Sequence, residues 1–130
     1  MRAALFVAGL ALAAPSIARA EAINLSCSGS YWAPGNPPVN AKIANRGVQV
    51  DLESKQVLGL YNTTFPITRI TKTDIGFTLP WFFDPGVAGS VGGSLDRITG
   101  KLEFTGLRST IPLVMAFQFV LECRPARPLF

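Results

Sequence analysis

Apolar and polar residues alternate with a period of two along most of the chain beyond residue 20. In the segments 23–28 and 117–123, apolar residues occupy every second position and polar residues lie between most of them. Such alternation predicts β-strands with one buried face, since successive side chains of a strand point to opposite sides. Seven or eight short segments of this kind follow one another, and none has the period of a helix. The sequence therefore predicts an all-β domain, an antiparallel meander that forms a small barrel or a sandwich.

Clusters of Gly, Pro and Asn predict where the strands end. We expect a hairpin turn at 45–47 (NRG), a loop at 31–38 (YWAPGNPP) and a second loop at 80–86 (PWFFDPG). The segment 96–101 (DRITGK) has the composition of a short hairpin loop, with Gly100 in a left-handed conformation.

The first 20 residues resemble a removable export signal. Arg2 precedes a 12-residue apolar run at 3–14, which is shorter than the ~20 residues that a helix needs to cross a membrane. Ala18-Arg19-Ala20 then fits the small-x-small pattern of a cleavage site, which would make Glu21 the new N-terminus. We therefore predict export to the periplasm or beyond the cell.

This interpretation divides the chain into three parts. Residues 1–20 are the predicted signal peptide, residues 21–124 the all-β domain, and residues 125–130 a C-terminal tail rich in Pro and Arg. Pro125 and Pro128 lack the N–H group that a central strand needs. No later segment is apolar for long enough to be a membrane helix, so we do not expect an integral membrane protein.

Cys27 and Cys123 are the two cysteines of the chain. In an exported protein an even number of cysteines favours a disulfide. Bridged Cα atoms lie about 5.5 Å apart, so the first and last strands would be neighbours or face each other across a core. The alternatives are two buried thiols or a redox pair, although the sequence has no Cys-x-x-Cys spacing and no histidine to activate a thiol.

Charge and composition narrow the possible functions. The chain has 12 basic and 8 acidic residues, and loss of Arg2 and Arg19 with the signal would leave a net charge of +2. This charge is too small to indicate nucleic-acid binding. The absence of histidine removes Ser-His-Asp and Cys-His catalysis and most zinc sites, so we expect no metal and no cofactor. Asp51 and Glu53 remain as the only plausible catalytic acids, and their alternation with apolar neighbours places them on the solvated face.

Aromatic residues in the two predicted proline-flanked loops are the most informative cluster for binding. Tyr31 and Trp32 lie in the first loop, and Trp81, Phe82 and Phe83 lie in the second. Three consecutive aromatics cannot all face one side of a strand, so the second loop either exposes apolar surface or covers one end of the core. If both loops line one mouth of a barrel, these five residues form a contact patch for a protein or a small apolar ligand.

Three motifs carry a resemblance to known proteins. Asn24–Gly29 (NLSCSG), Ser94–Gly100 (SLDRITG) and Cys123–Phe130 (CRPARPLF) resemble segments of a group of small exported proteobacterial proteins. That group has no assigned activity, so the resemblance implies only an exported location. In size, export and cysteine placement the chain is also similar to the periplasmic lysozyme inhibitors of the small eight-stranded barrel type.

These observations favour a non-enzymatic exported β-protein with a binding or structural role. The alternative is an inhibitor of a cell-wall hydrolase, which would insert a loop into the cleft of the enzyme. An enzyme that uses Asp51 or Glu53 is the third hypothesis.

Overall fold

The structure is a computed structural model that describes residues 22–84 and 86–126, with the backbone alone at Asp84. The predicted signal peptide, residues 1–20, lies outside the described residues, as do residues 127–130 of the predicted tail.

Eight strands make up the described part of the chain. They are β1 (Ile23–Ala33), β2 (Val39–Asp51), β3 (Gln56–Leu58), β4 (Phe65–Ile70), β5 (Asp74–Asp84), β6 (Val87–Asp96), β7 (Lys101–Arg108) and β8 (Val114–Pro125). Each strand pairs antiparallel with the next, and β8 pairs with β1 to close a barrel. The prediction of an antiparallel all-β meander is confirmed, and of its two forms the chain adopts the barrel.

Phenylalanine fills the interior of the barrel. Phe65, Phe77 and Phe104 are almost completely buried, and the Phe104 ring centroid lies 5.1 Å from that of Phe65 and 5.9 Å from that of Phe77. Burial of one such side chain contributes about 1.5–3 kcal/mol to stability. The middle of the barrel is therefore a packed core, and a ligand would have to bind at an end or at the wall.

The predicted hairpin at 45–47 is wrong, because β2 continues through these residues as one strand. Between the pairs Cys27–Arg46 and Gly29–Ile43, β2 contains one residue more than β1, which is a β-bulge. Asn45 has a φ of 49°, and its backbone N–H donates a hydrogen bond of 3.0 Å to the Ser28 hydroxyl. Asn tolerates this left-handed conformation well, so the same residues that suit a turn are used here for a bulge.

The two predicted loops are also shorter than the sequence indicates. Residues 31–33 continue β1, and residues 80–84 continue β5. Pro80 fits in a strand because the β4 ladder pairs with β5 only as far as Phe77, so the edge of β5 at Pro80 that faces β4 needs no donor. The predicted turn at Gly100 is confirmed, since this residue has a φ of 78° between β6 and β7.

The disulfide joins the strands that close the barrel. Cys27 of β1 and Cys123 of β8 lie directly opposite each other, with Cα atoms 4.1 Å apart and a sequence separation of 96. The predicted bond is confirmed, and its strands are neighbours rather than members of facing sheets. Since β1–β8 pairing joins the first and last strands, it is the most non-local strand pairing among the described residues.

The meander gives the barrel two distinct ends. We call the end with the loops 34–38, 59–64 and 109–113 the aromatic end, and the end with the loops 52–55, 71–73 and 97–100 the acidic end. Because neighbouring strands alternate in direction, β1, β5 and β7 finish at the aromatic end, where β2, β6 and β8 begin. Both segments of the predicted contact patch therefore lie at the same end.

We expect the barrel to lose much of its stability without the disulfide. Replacement of both cysteines, C27S/C123S, removes a cross-link over nearly the whole domain and should lower the free energy of unfolding by roughly 2–5 kcal/mol. Urea denaturation followed by circular dichroism measures the loss. A reducing agent should destabilise the natural chain by a similar amount and leave the double variant unchanged. An unchanged urea midpoint in the variant would contradict the stabilising role of the bond.

Candidate binding site

The predicted contact patch is divided between the two faces of the barrel wall. Tyr31, Trp81 and Phe83 point inward and pack against the core. Trp32 and Phe82 occupy the positions between inward residues and therefore lie on the outer face, where Phe82 is 75% exposed. Since β1 and β5 are on opposite sides of the barrel, the five residues do not form one continuous patch. The candidate site comprises only the inward members.

Phe117 of β8 connects the inward aromatics. Its ring centroid lies 6.3 Å from Tyr31, 6.3 Å from Phe83 and 5.8 Å from Tyr61, and the Tyr61 ring is parallel to it within 3°. Tyr61 also meets Trp81 edge to face at 5.9 Å. These are favourable ring geometries. Residues from four separate segments thus form one aromatic cluster that covers the packed core.

Glycine in β6 makes room for this cluster. A Cβ atom at Gly89 would collide with the Phe83 ring and with the Leu107 carbonyl. Glycine at this position therefore allows the wall to pack closely against Phe83.

Tyr61 belongs to the site although the sequence analysis did not select it. It follows β3, which ends at Leu58, and its side chain is 47% exposed. From the sequence we predict a short strand over 56–61. A position in such a strand gave no reason to place Tyr61 at the open end of the barrel. Only the early end of β3 brings the loop 59–64 across the opening.

The same early end of β3 leaves a cleft in the barrel wall. β2 has 13 residues but β3 has only 3, so the ladder between them stops at the pair Gln49–Leu58. The loop 59–64 fills part of the gap. A cleft of about 390 Å³ remains, and its lining consists of Arg46, Gly59, Leu60, Tyr61, Asn62 and Phe119.

Arg46 reaches into this cleft from the inner face of β2. The bulge at Asn45 shifts the alternation of the strand by one residue, so Arg46 takes the same inward phase as Val48 and Val50. Its guanidinium carbon lies 5.3 Å from the centre of the Phe119 ring. Nη1 donates a hydrogen bond of 3.2 Å to the Leu60 carbonyl. These two contacts hold the cation at the edge of the aromatic cluster.

A second arginine lies on the other side of this end. The guanidinium carbon of Arg108 lies 5.6 Å from the centre of the Phe83 ring. Cations over aromatic faces are attracted by the ring quadrupole. The aromatic end therefore combines apolar rings with positive charge.

Exposed apolar side chains are also concentrated here. Of nine exposed large hydrophobic residues among those described, six are at the aromatic end: Val39, Tyr61, Phe82, Ile111, Leu113 and Val114. Single exposed apolar residues are ordinary, and their concentration at this end distinguishes it from the acidic end. Ile111 is fully exposed, at 103%, in the loop 109–113.

The aspartates at the acidic end form turns. Asp51 Oδ1 accepts hydrogen bonds from the backbone N–H groups of Glu53 and Ser54, at 3.0 and 3.1 Å. Asp96 Oδ1 accepts in the same way from Ile98 and Thr99, at 2.8 and 3.0 Å. The hydrogen bond from Ser54 is the main cause that lowers the pKa of Asp51, and that from Thr99 is the main cause for the pKa of Asp96.

The third aspartate of this end is held by side chains. Thr71 donates a hydrogen bond of 2.6 Å from its hydroxyl to Asp74, and Arg69 forms an ion pair of 2.7 Å with the same carboxylate. The Thr71 hydrogen bond is the main cause that lowers the pKa of Asp74. Each of these carboxylates, including that of Asp51, the catalytic candidate, therefore stabilises a turn or forms an ion pair.

Two further observations concern the described residues only. Within 22–84 and 86–126, no three His, Cys, Asp or Glu side chains come together as a group that could hold a metal ion. The same residues contain no helix long and apolar enough to cross a membrane.

We expect these turns to make the stability of the protein depend on acid. A carboxylate with a lowered pKa in the folded state stabilises the fold above its unfolded value of about 3.9, and this contribution is lost as the pH falls through the lower folded pKa. The variant D51N/D96N keeps an acceptor oxygen at both turns but cannot titrate. When the pH falls from about 6 to about 2, the melting temperature of the variant should decrease by less than that of the natural chain. An equal loss in both proteins would contradict this assignment.

Comparison with known proteins assigns no family to the chain. No family model matches it, and no curated protein and no solved structure is significantly similar to it. Its function is therefore argued from its own residues.

Proposed function

We propose that this chain is an exported, non-enzymatic binding protein that works in the periplasm or outside the cell. Its ligand is a small molecule with an apolar part, and the aromatic end of the barrel is the binding surface. The signal-like N-terminal sequence supports export, and the Cys27–Cys123 disulfide is compatible with an oxidising compartment.

The observation that carries this proposal is the aromatic cluster around Phe117. Inward rings from β1, β5, β8 and the loop 59–64 meet at the open end, above a core that phenylalanine already fills. Rigid aromatic side chains provide apolar contact area and lose little conformational entropy on binding. The ligand would rest on this cluster rather than enter the barrel.

We expect a neutral apolar probe to bind at Tyr61. The side chain is partly exposed and contacts both Trp81 and Phe117. The variant Tyr61→Ala should weaken the binding of 1-octanol, measured by calorimetry, by about tenfold, since loss of one good apolar contact costs on the order of 1–2 kcal/mol. Ile98→Ala removes a side chain that is 76% exposed at the acidic end and serves as the control. No binding by the natural chain would contradict the proposed function.

A second function is favoured by the loop 109–113. Its two large apolar side chains, Ile111 and Leu113, are 103% and 70% exposed, and the loop connects strands that are tied into the barrel. A protruding apolar loop on a rigid support suits insertion into the cleft of an enzyme. Together with the resemblance to eight-stranded lysozyme inhibitors, this supports inhibition of a cell-wall hydrolase as the alternative.

The alternative predicts inhibition of a lysozyme-type muramidase. The purified protein should slow the lysis of cell-wall suspensions by at least one enzyme of this class, and I111S/L113S should abolish the effect. Ile98→Ser provides a matched apolar-to-polar change at the other end of the barrel. If lysis is undiminished with each enzyme of a panel, the alternative function is excluded. If I111S/L113S and Ile98→Ser inhibit equally, the loop 109–113 is not the inhibitory segment.

A further inference from the structure

We propose that the cleft at Arg46 binds the anionic group of the ligand, either a carboxylate or a phosphate monoester. The proposal rests on the proposed function, since it places the apolar part of the same ligand on the aromatic cluster. The ligand class is thereby an anionic amphiphile.

Arg46 has no acidic partner in the described part of the chain. Its guanidinium contacts the Leu60 carbonyl and the Phe119 ring, and neither carries a negative charge. The salt bridges among the described residues are Arg69–Asp74 and Lys101–Glu103, which lie elsewhere on the barrel. Arg46 lines the cleft and pairs with no acidic side chain there, so its charge is available to an anion that enters from outside.

The donor geometry suits an oxyanion. A guanidinium has five N–H donors in a planar fork, and the described residues accept only one hydrogen bond from Arg46. The fork matches the spacing of two oxygens on a carboxylate or a phosphate. The contact with the Phe119 ring and the hydrogen bond to the Leu60 carbonyl hold the guanidinium in place, which lowers the entropy that binding would cost.

The cleft and the aromatic cluster are connected by Tyr61. This residue lines the cleft together with Arg46 and Phe119, and its ring contacts Trp81 and Phe117 of the cluster. A ligand with its anionic group at Arg46 can therefore extend its apolar tail across the Tyr61 ring. The cleft volume of about 390 Å³ is of the size of a small-ligand site.

Positive charge lies beside the apolar rings at this end. The guanidinium groups of Arg46 and Arg108 each lie over an aromatic ring. The loops of the acidic end carry both signs of charge, since Lys55, Lys72 and Arg97 lie in the same turns as the aspartates. The aromatic end therefore differs in offering a cation next to apolar rings, which suits the anionic group and the tail of one ligand.

Calorimetric titration of the natural chain with a matched series of probes tests the inference. The probes are 1-octanol, octanoate, octyl phosphate, octyltrimethylammonium and inorganic phosphate, all below the concentrations at which they form micelles. We expect octanoate or octyl phosphate to bind about tenfold tighter than 1-octanol, as hydrogen bonds to a charged group allow. Whichever of octanoate and octyl phosphate binds more tightly shows whether the ligand is a fatty acid or a phosphate ester.

Failure of the inference differs from failure of the proposed function. If 1-octanol binds and neither anion binds more tightly, the apolar site exists and the anion site does not. If none of the probes binds, both are wrong. If inorganic phosphate binds as tightly as octyl phosphate, the anion site exists but the octyl tail adds nothing to the affinity. That result would overturn the proposal that the ligand is an amphiphile.

Variants locate the anion site. Arg46→Gln should abolish the difference in affinity between the anionic probes and 1-octanol, while Arg46→Lys should retain only part of this difference because the fork is lost. Arg124→Gln, an exposed arginine at the acidic end, is the control. A preference that survives in folded Arg46→Gln would overturn the assignment, and the melting temperature of each variant shows whether it is folded.

Discussion

The pairing of β1 with β8 is the contact on which the rest of the structure depends. A meander of antiparallel strands has two free edges unless its first and last strands meet, and exposed edges invite association with other chains. Here the seam is fixed by a backbone ladder and by the Cys27–Cys123 bond within it. Closure also determines the function we propose, because it gathers the ends of β1, β5 and β8 around one opening.

Two irregularities convert that closed barrel into a candidate site. The bulge at Asn45 turns Arg46 to the inner face, and the early end of β3 opens the wall beside it. The middle of the barrel is filled by Phe65, Phe77 and Phe104, which lie on other strands. The regular strands therefore provide the packed middle of the barrel, and the bulge and the short β3 provide the cleft of the candidate site.

Much of the fold could be predicted from the sequence, whereas the site could be predicted only in part. The period of two predicted the strands because each has one buried face. The cysteine positions predicted the disulfide, but they left open whether its strands are neighbours or face each other across a core. The hairpin at 45–47 could not be distinguished from a bulge, since both use Asn in a left-handed conformation. The inward and outward phases of Trp81 and Phe82 depend on β5 continuing past Pro80, which depends on where the β4 ladder stops. Arg46 and Tyr61 were missed because their surroundings are built by distant segments.

The two tryptophans of the chain offer the most direct test of where a ligand binds. Trp81 belongs to the inward cluster, whereas Trp32 lies at the same end on the outer face. Their indole N–H signals in a nitrogen–proton NMR spectrum report on each position separately. On titration with octyl phosphate, the Trp81 signal should shift in a saturable manner and the Trp32 signal should remain in place. A shift of Trp32 alone, or no shift of either signal at saturation, would contradict binding on the inward aromatic cluster.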